Sequence, residues 1–432
     1  MGALDGAAAL GVLFALALIA RVIAALVYAD ITPGVEIWEY GLQGLCAAQT
    51  GGDLCLRDPD GAAYATALMP PLTSYLWLGL FTVFGIGPEA LSAYVLINVL
   101  VGAACAPLLY VLARELKLEP PAALIAGLII ALYPTFVFVA ATYHATNYTV
   151  AFTLGFAILL MHAMKSLHWR AALAAGLMGG LSVLTRNELL LCVLGGGALL
   201  LWAGRRNLMS GVRAAAALGL ALALVMTPWI ARNYVTFDRF IPIGAQAGYN
   251  LWIGFGPHAR GSGNQLDNDA VSRAAAAAVR EGVRRGDAPG DRYEPRVQQA
   301  YLDDALPAIE QGGVGRLIVL TAEKFAVLWV FDWTDPITRH PAYWLPWLAV
   351  HGLALFGLFA LWRGRAPPID WNGALMIVLF LGVFTLAYSI SSVFARYRMH
   401  MEPFIFVFSA IGASALLARW TPINRDAAPL RT

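Results

Sequence analysis

Charge is what this sequence has least of. Asp, Glu, Lys and Arg make up 13% of its 432 residues, where a soluble domain carries about 25%. So little polar side chain cannot cover a hydrophobic content of 59%, which argues against an ordinary water-soluble enzyme. The same shortage excludes a disordered chain and a coiled coil. A net charge of +2 is too small to imply a polyanionic partner, so no nucleic acid is expected. Lysine is nearly absent: Lys117, Lys165 and Lys324 are three of the 29 bases. Cysteine is scarce too, at four residues. Neither a CxxC pair nor a His/Cys ligand pattern occurs, so no metal or cofactor is expected. Cys105 and Cys192 fall in apolar runs, where a thiol acts as a small hydrophobe. Cys46 and Cys55 have eight residues between them. They are either a disulfide, which an oxidising exterior permits, or two free thiols. No internal repeat is evident, which weakens a reading as a secondary transporter.

What the sequence has in quantity is apolar runs near the ~20 residues that cross a bilayer as helix. They are Ala7–Tyr28, Ala90–Ala113, Pro121–Ala141, Tyr148–Met164, Ala171–Leu184, Leu189–Ala203, Ala214–Trp229, Ala342–Trp362, Trp371–Ile390 and Phe404–Leu417. An all-α polytopic membrane protein with about ten spans is expected. The closely spaced fifth and sixth runs are short and either need their flanks or re-enter. The first run lacks a basic n-region and is too long for a signal peptide, so it reads as a retained helix.

Arg114, Lys117, Lys165, Arg170, Arg205, Arg206, Arg213, Arg363 and Arg365 fall in alternate short connections. The basic-residue rule places those connections, and both termini, in the cytoplasm. Twelve of the 29 bases but only five of the 27 acids then lie inside. Val314–Phe331 is apolar but carries Glu323 and Lys324 near its middle, so it reads as an interfacial helix rather than a span. Three units result: a membrane core over 1–229 with a first outer loop at 30–89, an outer region over 230–341, and membrane helices over 342–432. In the outer region, Ala270–Arg285 and Tyr301–Glu310 read as helices separated by the Gly286–Gly290 cluster.

The outer face holds the candidate chemistry. Glu36 and Glu39 are three apart and share a face if the stretch is helical. Either carboxylate suits a general base. Pro70-Pro71 opens a short apolar segment that suits an interfacial helix. Arg21 is an intramembrane arginine, a functional candidate by default, though snorkelling to headgroups is equally open. Arg232, Arg396 and Arg398 lie at the outer interface and suit a phosphate, because guanidinium binds it bidentately, though headgroup anchoring would use them equally. Arg186 and Glu188 break two apolar runs. His144 and Asn147 sit in a short outer connection, each able to donate a hydrogen bond.

These pieces, in this order, resemble the GT-C glycosyltransferases, in the family 39 or dolichyl-phosphate-mannose–protein mannosyltransferase-like group. Its bacterial relatives include aminoarabinose transferases and rhizobial-type lipopolysaccharide sugar transferases. The matching residues are Glu36 four before Tyr40, with Glu39-Tyr40-Gly41; Ala67-Leu68-Met69-Pro70-Pro71-Leu72; Leu184-Thr185-Arg186; and Pro228-Trp229 with Arg232-Asn233-Tyr234. Gly248-Tyr249-Asn250-Leu251-Trp252-Ile253-Gly254 and Ala395-Arg396-Tyr397-Arg398 complete the set. The resemblance implies an inverting transfer of a sugar from a polyprenyl-phosphate donor to a hydroxyl of a glycolipid, lipopolysaccharide or protein. It places the site on the outer face of a bacterial inner membrane.

Carried over by position, Glu36 is the base, with Glu39 second. Arg232, Arg396, Arg398 and Arg21 are the phosphate ligands. Tyr40, Pro70, Pro71, Arg186, His144, Asn147, Tyr249 and Asn250 line the substrate site. Two departures stand out. The usual Asp is Glu36 here, and the second outer connection reads His144-Ala145-Thr146-Asn147, without the acid that many members carry. Two other readings remain: a flippase or transporter, which needs a charged path through the helices, and an inactive relative acting as an assembly partner.

Overall fold

The computed structural model describes residues 6–32, 34–264, 269–283 and 293–420. The first helix, α1 (Gly6–Tyr28), is followed by α2 (Trp38–Thr50), strands β1 (Cys55–Arg57) and β2 (Ala63–Ala65), and α3 (Pro71–Phe84). Next come α4 (Pro88–Glu115), α5 (Pro120–Leu132), α6 (Pro134–Phe138), α7 (Thr146–Ser166), α8 (Trp169–Val183), α9 (Leu189–Ala203) and α10 (Leu208–Phe237). The remainder is α11 (Ala247–Phe255), α12 (Ala270–Glu281), α13 (Tyr293–Trp329), α14 (Pro341–Trp362), α15 (Trp371–Ser389) and α16 (Glu402–Trp420).

Each apolar run has become helix, and the chain is a multi-pass membrane protein. Among the described residues six helices, α1, α4, α7, α10, α14 and α15, are long and apolar enough to cross a membrane. The third run is a bent pair, α5 with α6 and its 3-10 extension, turning by 53°. The fifth and sixth runs give α8 and α9, of 15 residues each. At 1.5 Å per residue that is about 22 Å, short of a ~30 Å hydrocarbon core.

The bend at α5–α6 explains Arg21. Pro134 has no N–H, so the Ile130 carbonyl one turn back loses its helical donor. Arg21 supplies it: Nη2 donates to Ile130 O at 3.1 Å, and Nη1 to Ala131 O at 3.0 Å and Ala17 O at 3.1 Å. The guanidinium is fully buried in the bundle. It therefore neither snorkels nor faces a phosphate; it caps a broken helix inside the bundle, where bare carbonyls are costly.

Close approach builds the rest of the bundle. A Cβ on Gly357 of α14 would lie 2.1 Å from Phe408 O, and one on Gly412 of α16 would lie 2.1 Å from Leu353 O. Backbones meet there without side chains between them. One end of the bundle gathers basic connections. Lys165 pairs with Glu115 at 2.6 Å, Lys117 pairs with Asp370 at 3.2 Å, and Asp370 N donates to Leu116 O.

The opposite end carries the long connections, and here several expectations change. Cys46 and Cys55 form a disulfide, and β1 pairs antiparallel with β2, a small strand element the all-α reading lacked. Trp38 adopts φ 56° and α2 starts only there, so Glu36 precedes the helix and shares no helical face with Glu39. In the outer region, Asp269 caps α12 by accepting from Val271 N at 3.1 Å. The Gly286–Gly290 cluster lies outside the described residues. The helix expected at Tyr301 begins at Tyr293 instead and runs to Trp329 through Pro307, kinked at Gly313 with φ 62°. Its second half exposes Val314, Ile318, Val319 and Phe325 but buries Lys324, whose Nζ lies 3.0 Å from the Phe255 ring centroid. Burial, with Arg316 nearby, pushes that ammonium down to about 7.

Candidate active site

Six connections meet at this end. Tyr143 donates its hydroxyl to Asp30 O, tying the α6–α7 connection to the α1–α2 loop. Tyr40 of α2 donates to Thr185 O at 3.5 Å, reaching the α8–α9 connection, and Leu72 N donates to Leu184 O at 3.0 Å. Ala245 N donates to Ala67 O at 2.7 Å. Ser392 donates to Asn250 Oδ1 at 3.1 Å, linking the α15–α16 connection to α11.

The space they enclose is a cavity of about 190 Å³. Of the residues singled out in the sequence, Glu36, Glu39, Tyr40, Pro70, His144, Arg186, Tyr249, Asn250 and Arg396 line it. Trp38, Asn187, Glu188, Gln246 and Tyr397 line it as well. A second space of about 260 Å³ shares Arg186, Asn187, Glu188 and Tyr397 and continues between Leu190 and Leu191 of α9 and Ala387 of α15.

Charge in the cavity is divided. Glu36 is exposed at the rim and Glu39 is half-buried in the first turn of α2. Arg396 lies over the rings of Phe394 at 4.4 Å and Trp38 at 5.1 Å, and it forms no ion pair among the described residues. Its buried Nε has no hydrogen-bond partner among the described residues. Arg186 is committed instead: its Nε is 2.6 Å from Glu188 Oε1, and its guanidinium covers the Tyr397 ring at 4.3 Å. Burial opposes the charge on Arg186, but Glu188 together with Tyr388, Tyr397 and Tyr40 outweighs that and holds the group well above its ordinary value. His144 is pushed the other way. Desolvation, then Arg396 and Arg186, hold its imidazole well below the usual range, so it is neutral. Its Nδ1 lies 2.7 Å from Thr146 Oγ1, and its ring meets Trp38 and Tyr40 edge-on.

The structure does not bring every expected residue here. Arg232 lies outside the cavity. Its Nε donates to Asp53 at 2.5 Å, its two other nitrogens donate to Thr66 O and Leu54 O, and its guanidinium stacks over Trp229. It braces the disulfide loop. Arg398 is buried elsewhere, 3.2 Å from Glu402 and donating to Tyr343 at 2.7 Å. Asn147, in the first turn of α7, is buried and donates to Asn98 at 3.1 Å. Pro71 is buried as the first residue of α3. Arg21 is spent on the α5 carbonyls. An outer arginine found by position alone does not distinguish a brace from a ligand, because both jobs use the same fork of donors.

The wall carrying Leu68, Met69 and Pro70 is held by a residue the sequence reading did not single out. Glu294, at the start of α13, accepts from the Thr66 hydroxyl and from Ala67 N at 2.6 Å. Burial pushes its carboxyl up to about 7 despite those two donors. The sign follows from linkage. Between about 4.5, the unfolded value, and 7 the folded chain keeps a proton that the unfolded chain has lost. Glu294 therefore favours folding fully below the unfolded value, and that favour is lost as pH rises through 7. Thermal stability in detergent is expected to fall across this window by up to about 3 kcal/mol. Glu294→Gln is expected to flatten the profile; an unchanged slope in the variant assigns the effect elsewhere.

Residues 69–231 match the family described as dolichyl-phosphate-mannose-protein mannosyltransferase. No curated protein matches the chain. The structure is similar to the oligosaccharyltransferase of Archaeoglobus fulgidus, with a TM-score of 0.56 at 15% identity over 94% of this chain and 49% of that one. The structure of AglB, from the same organism, in complex with an inhibitory peptide and a dolichol-phosphate, gives 0.55 at 14% identity over 95% and 50%. ArnT from Cupriavidus metallidurans bound to undecaprenyl phosphate gives 0.43 at 15% identity over 94% and 77%. The chain spans about half the length of the oligosaccharyltransferases it matches.

Proposed function

We propose that this chain, which has the GT-C glycosyltransferase fold, transfers a sugar from a polyprenyl-phosphate donor to an acceptor hydroxyl. One observation carries the reading. Two carboxylates, Glu36 and Glu39, share a cavity with Arg396, a cation without a carboxylate partner. The cavity lies at the end of a membrane bundle. A base for the acceptor and a counter-ion for a leaving phosphate are what such a transfer requires.

In the reaction the acceptor oxygen attacks the anomeric carbon and the bond to the phosphate oxygen breaks, inverting the centre. The acceptor proton passes to Glu36. The negative charge left on the lipid phosphate meets Arg396. Neutral His144 adds a hydrogen-bonding group without competing for the carboxylates. The second space between α9 and α15 gives the lipid tail a way into the bilayer. The outward orientation is supported by the Cys46–Cys55 disulfide on this end and by the basic connections on the other. In that orientation the region 230–341 covers the site in the periplasm of a bacterial inner membrane, with the exposed apolar face of α13 lying on the lipid.

The glycan profile of a deletion strain tests the reading. One envelope glycan, glycolipid or glycoprotein is expected to lose a sugar while its precursor accumulates. The purified protein is expected to release free polyprenyl phosphate from a sugar conjugate only when acceptor is present. An unchanged profile together with no release would sink the proposal.

A further inference from the structure

Glu188 sits where both parts of the cavity meet, and its side chain is 12% exposed. Its two oxygens are treated differently. Oε1 receives both the Arg186 Nε hydrogen at 2.6 Å and the Tyr388 hydroxyl hydrogen. Among the described residues no group donates to Oε2. Behind Tyr388 stands buried His400, whose Nδ1 lies 3.1 Å from the phenol oxygen. The phenol proton is already given to Glu188, so Nδ1 carries the hydrogen and donates it. His400 Nε2 is then a bare acceptor, buried without a partner. Desolvation, then Arg186 and His144, hold this imidazole neutral, consistent with that single tautomer. The chain of donation therefore runs from His400 through Tyr388 to Glu188 and ends on a carboxylate with one oxygen open.

Such a group is suited to one task. Two donors already occupy Oε1 and fix the orientation of the carboxylate. A fixed anion repels phosphate. An ionised carboxylate only accepts hydrogen bonds, and its bonds to hydroxyl donors are among the stronger neutral–ion contacts. Asn187, Gln246 and Asn250 supply amides around the same place, which leaves a neutral polyol as the ligand of matching chemistry.

We propose that Glu188 binds hydroxyls of the transferred sugar, oriented for that by Arg186 and by the Tyr388–His400 pair behind it. This gives the cavity a second carboxylate function from the α8–α9 connection. The sequence offers none in the α6–α7 connection, where His144 stands. The proposal rests on the glycosyl-transfer reading.

The test uses the full chain in nanodiscs and compares affinity for bare decaprenyl phosphate with affinity for its glucose, galactose, mannose and arabinose conjugates. The probe is whichever conjugate binds the wild type more tightly than the bare lipid. Glu188→Gln is expected to leave bare-lipid affinity unchanged and to weaken the conjugate roughly tenfold to a hundredfold. Tyr388→Phe is expected to fall between that variant and the wild type. Bare-lipid binding by the same preparation reports that the variant is folded. A wild-type sugar preference retained by Glu188→Gln overturns the assignment, and so does an equal loss for both ligands. Failure of the wild type to bind any of these lipids overturns the transfer reading itself, a result distinct from the other two.

Discussion

Glu36→Gln is expected to lower sugar transfer roughly 10²–10⁴-fold, the range contributed by a positioned general base. The substitution keeps size and hydrogen bonding and removes only the proton acceptor. Donor affinity is expected to stay near wild type, because the proposed mechanism assigns the phosphate to Arg396 and only the acceptor proton to Glu36. The loss therefore belongs in kcat, measured by single-turnover release of polyprenyl phosphate at saturating donor. Glu39→Gln is the control that matters. Glu39 sits in the first turn of α2 and is the second candidate for the base. A smaller loss than for Glu36→Gln is expected for it. The reverse ranking transfers the role to Glu39, and full activity in both variants removes the carboxylate mechanism altogether.

The second large effect concerns Arg396. Arg396→Gln is expected to cost roughly 10²–10³-fold in kcat, as for removal of one preorganised donor from developing negative charge. Unlike Glu36→Gln, it is also expected to weaken binding of bare polyprenyl phosphate. Arg232→Gln makes the contrast. Arg232 stands outside the cavity and braces Asp53, Leu54 and Thr66, so its loss is expected to lower the melting temperature. Activity per folded molecule is expected to remain. Equal activity losses in the two variants, at matched folded fraction, would return the phosphate to Arg232.

The two arginines show how far sequence reaches. Both stand next to aromatic residues at the end of an apolar run, and nothing in their local pattern separates them. What separates them is Asp53, 179 positions from Arg232, and the lack of any comparable partner for Arg396. Arg21 teaches the same lesson from within the membrane. An arginine in a span marks a constraint, but its meaning depended on Pro134, which breaks a helix more than a hundred residues later. Glu188 was visible only as the polar tip between two short apolar runs. Tyr388 and His400 give it a fixed orientation, and both come from the other end of the sequence.

By itself the sequence determined that the chain lives in a membrane. It also determined where the long apolar helices run and which connections are basic, and it offered Glu36, Tyr40, Pro70, Arg186 and Arg396 as parts of one family resemblance. These follow from apolar length and local residue order, which a chain carries without folding. The tertiary structure alone decided which of the scattered charges share a cavity and which are consumed by one another. It also decided that two outer cysteines are joined and that α2 begins only after Glu36. The physical reason is that a charge acquires its role from its partners. In a chain only 13% charged, almost every partner lies far away in sequence and is brought near by packing.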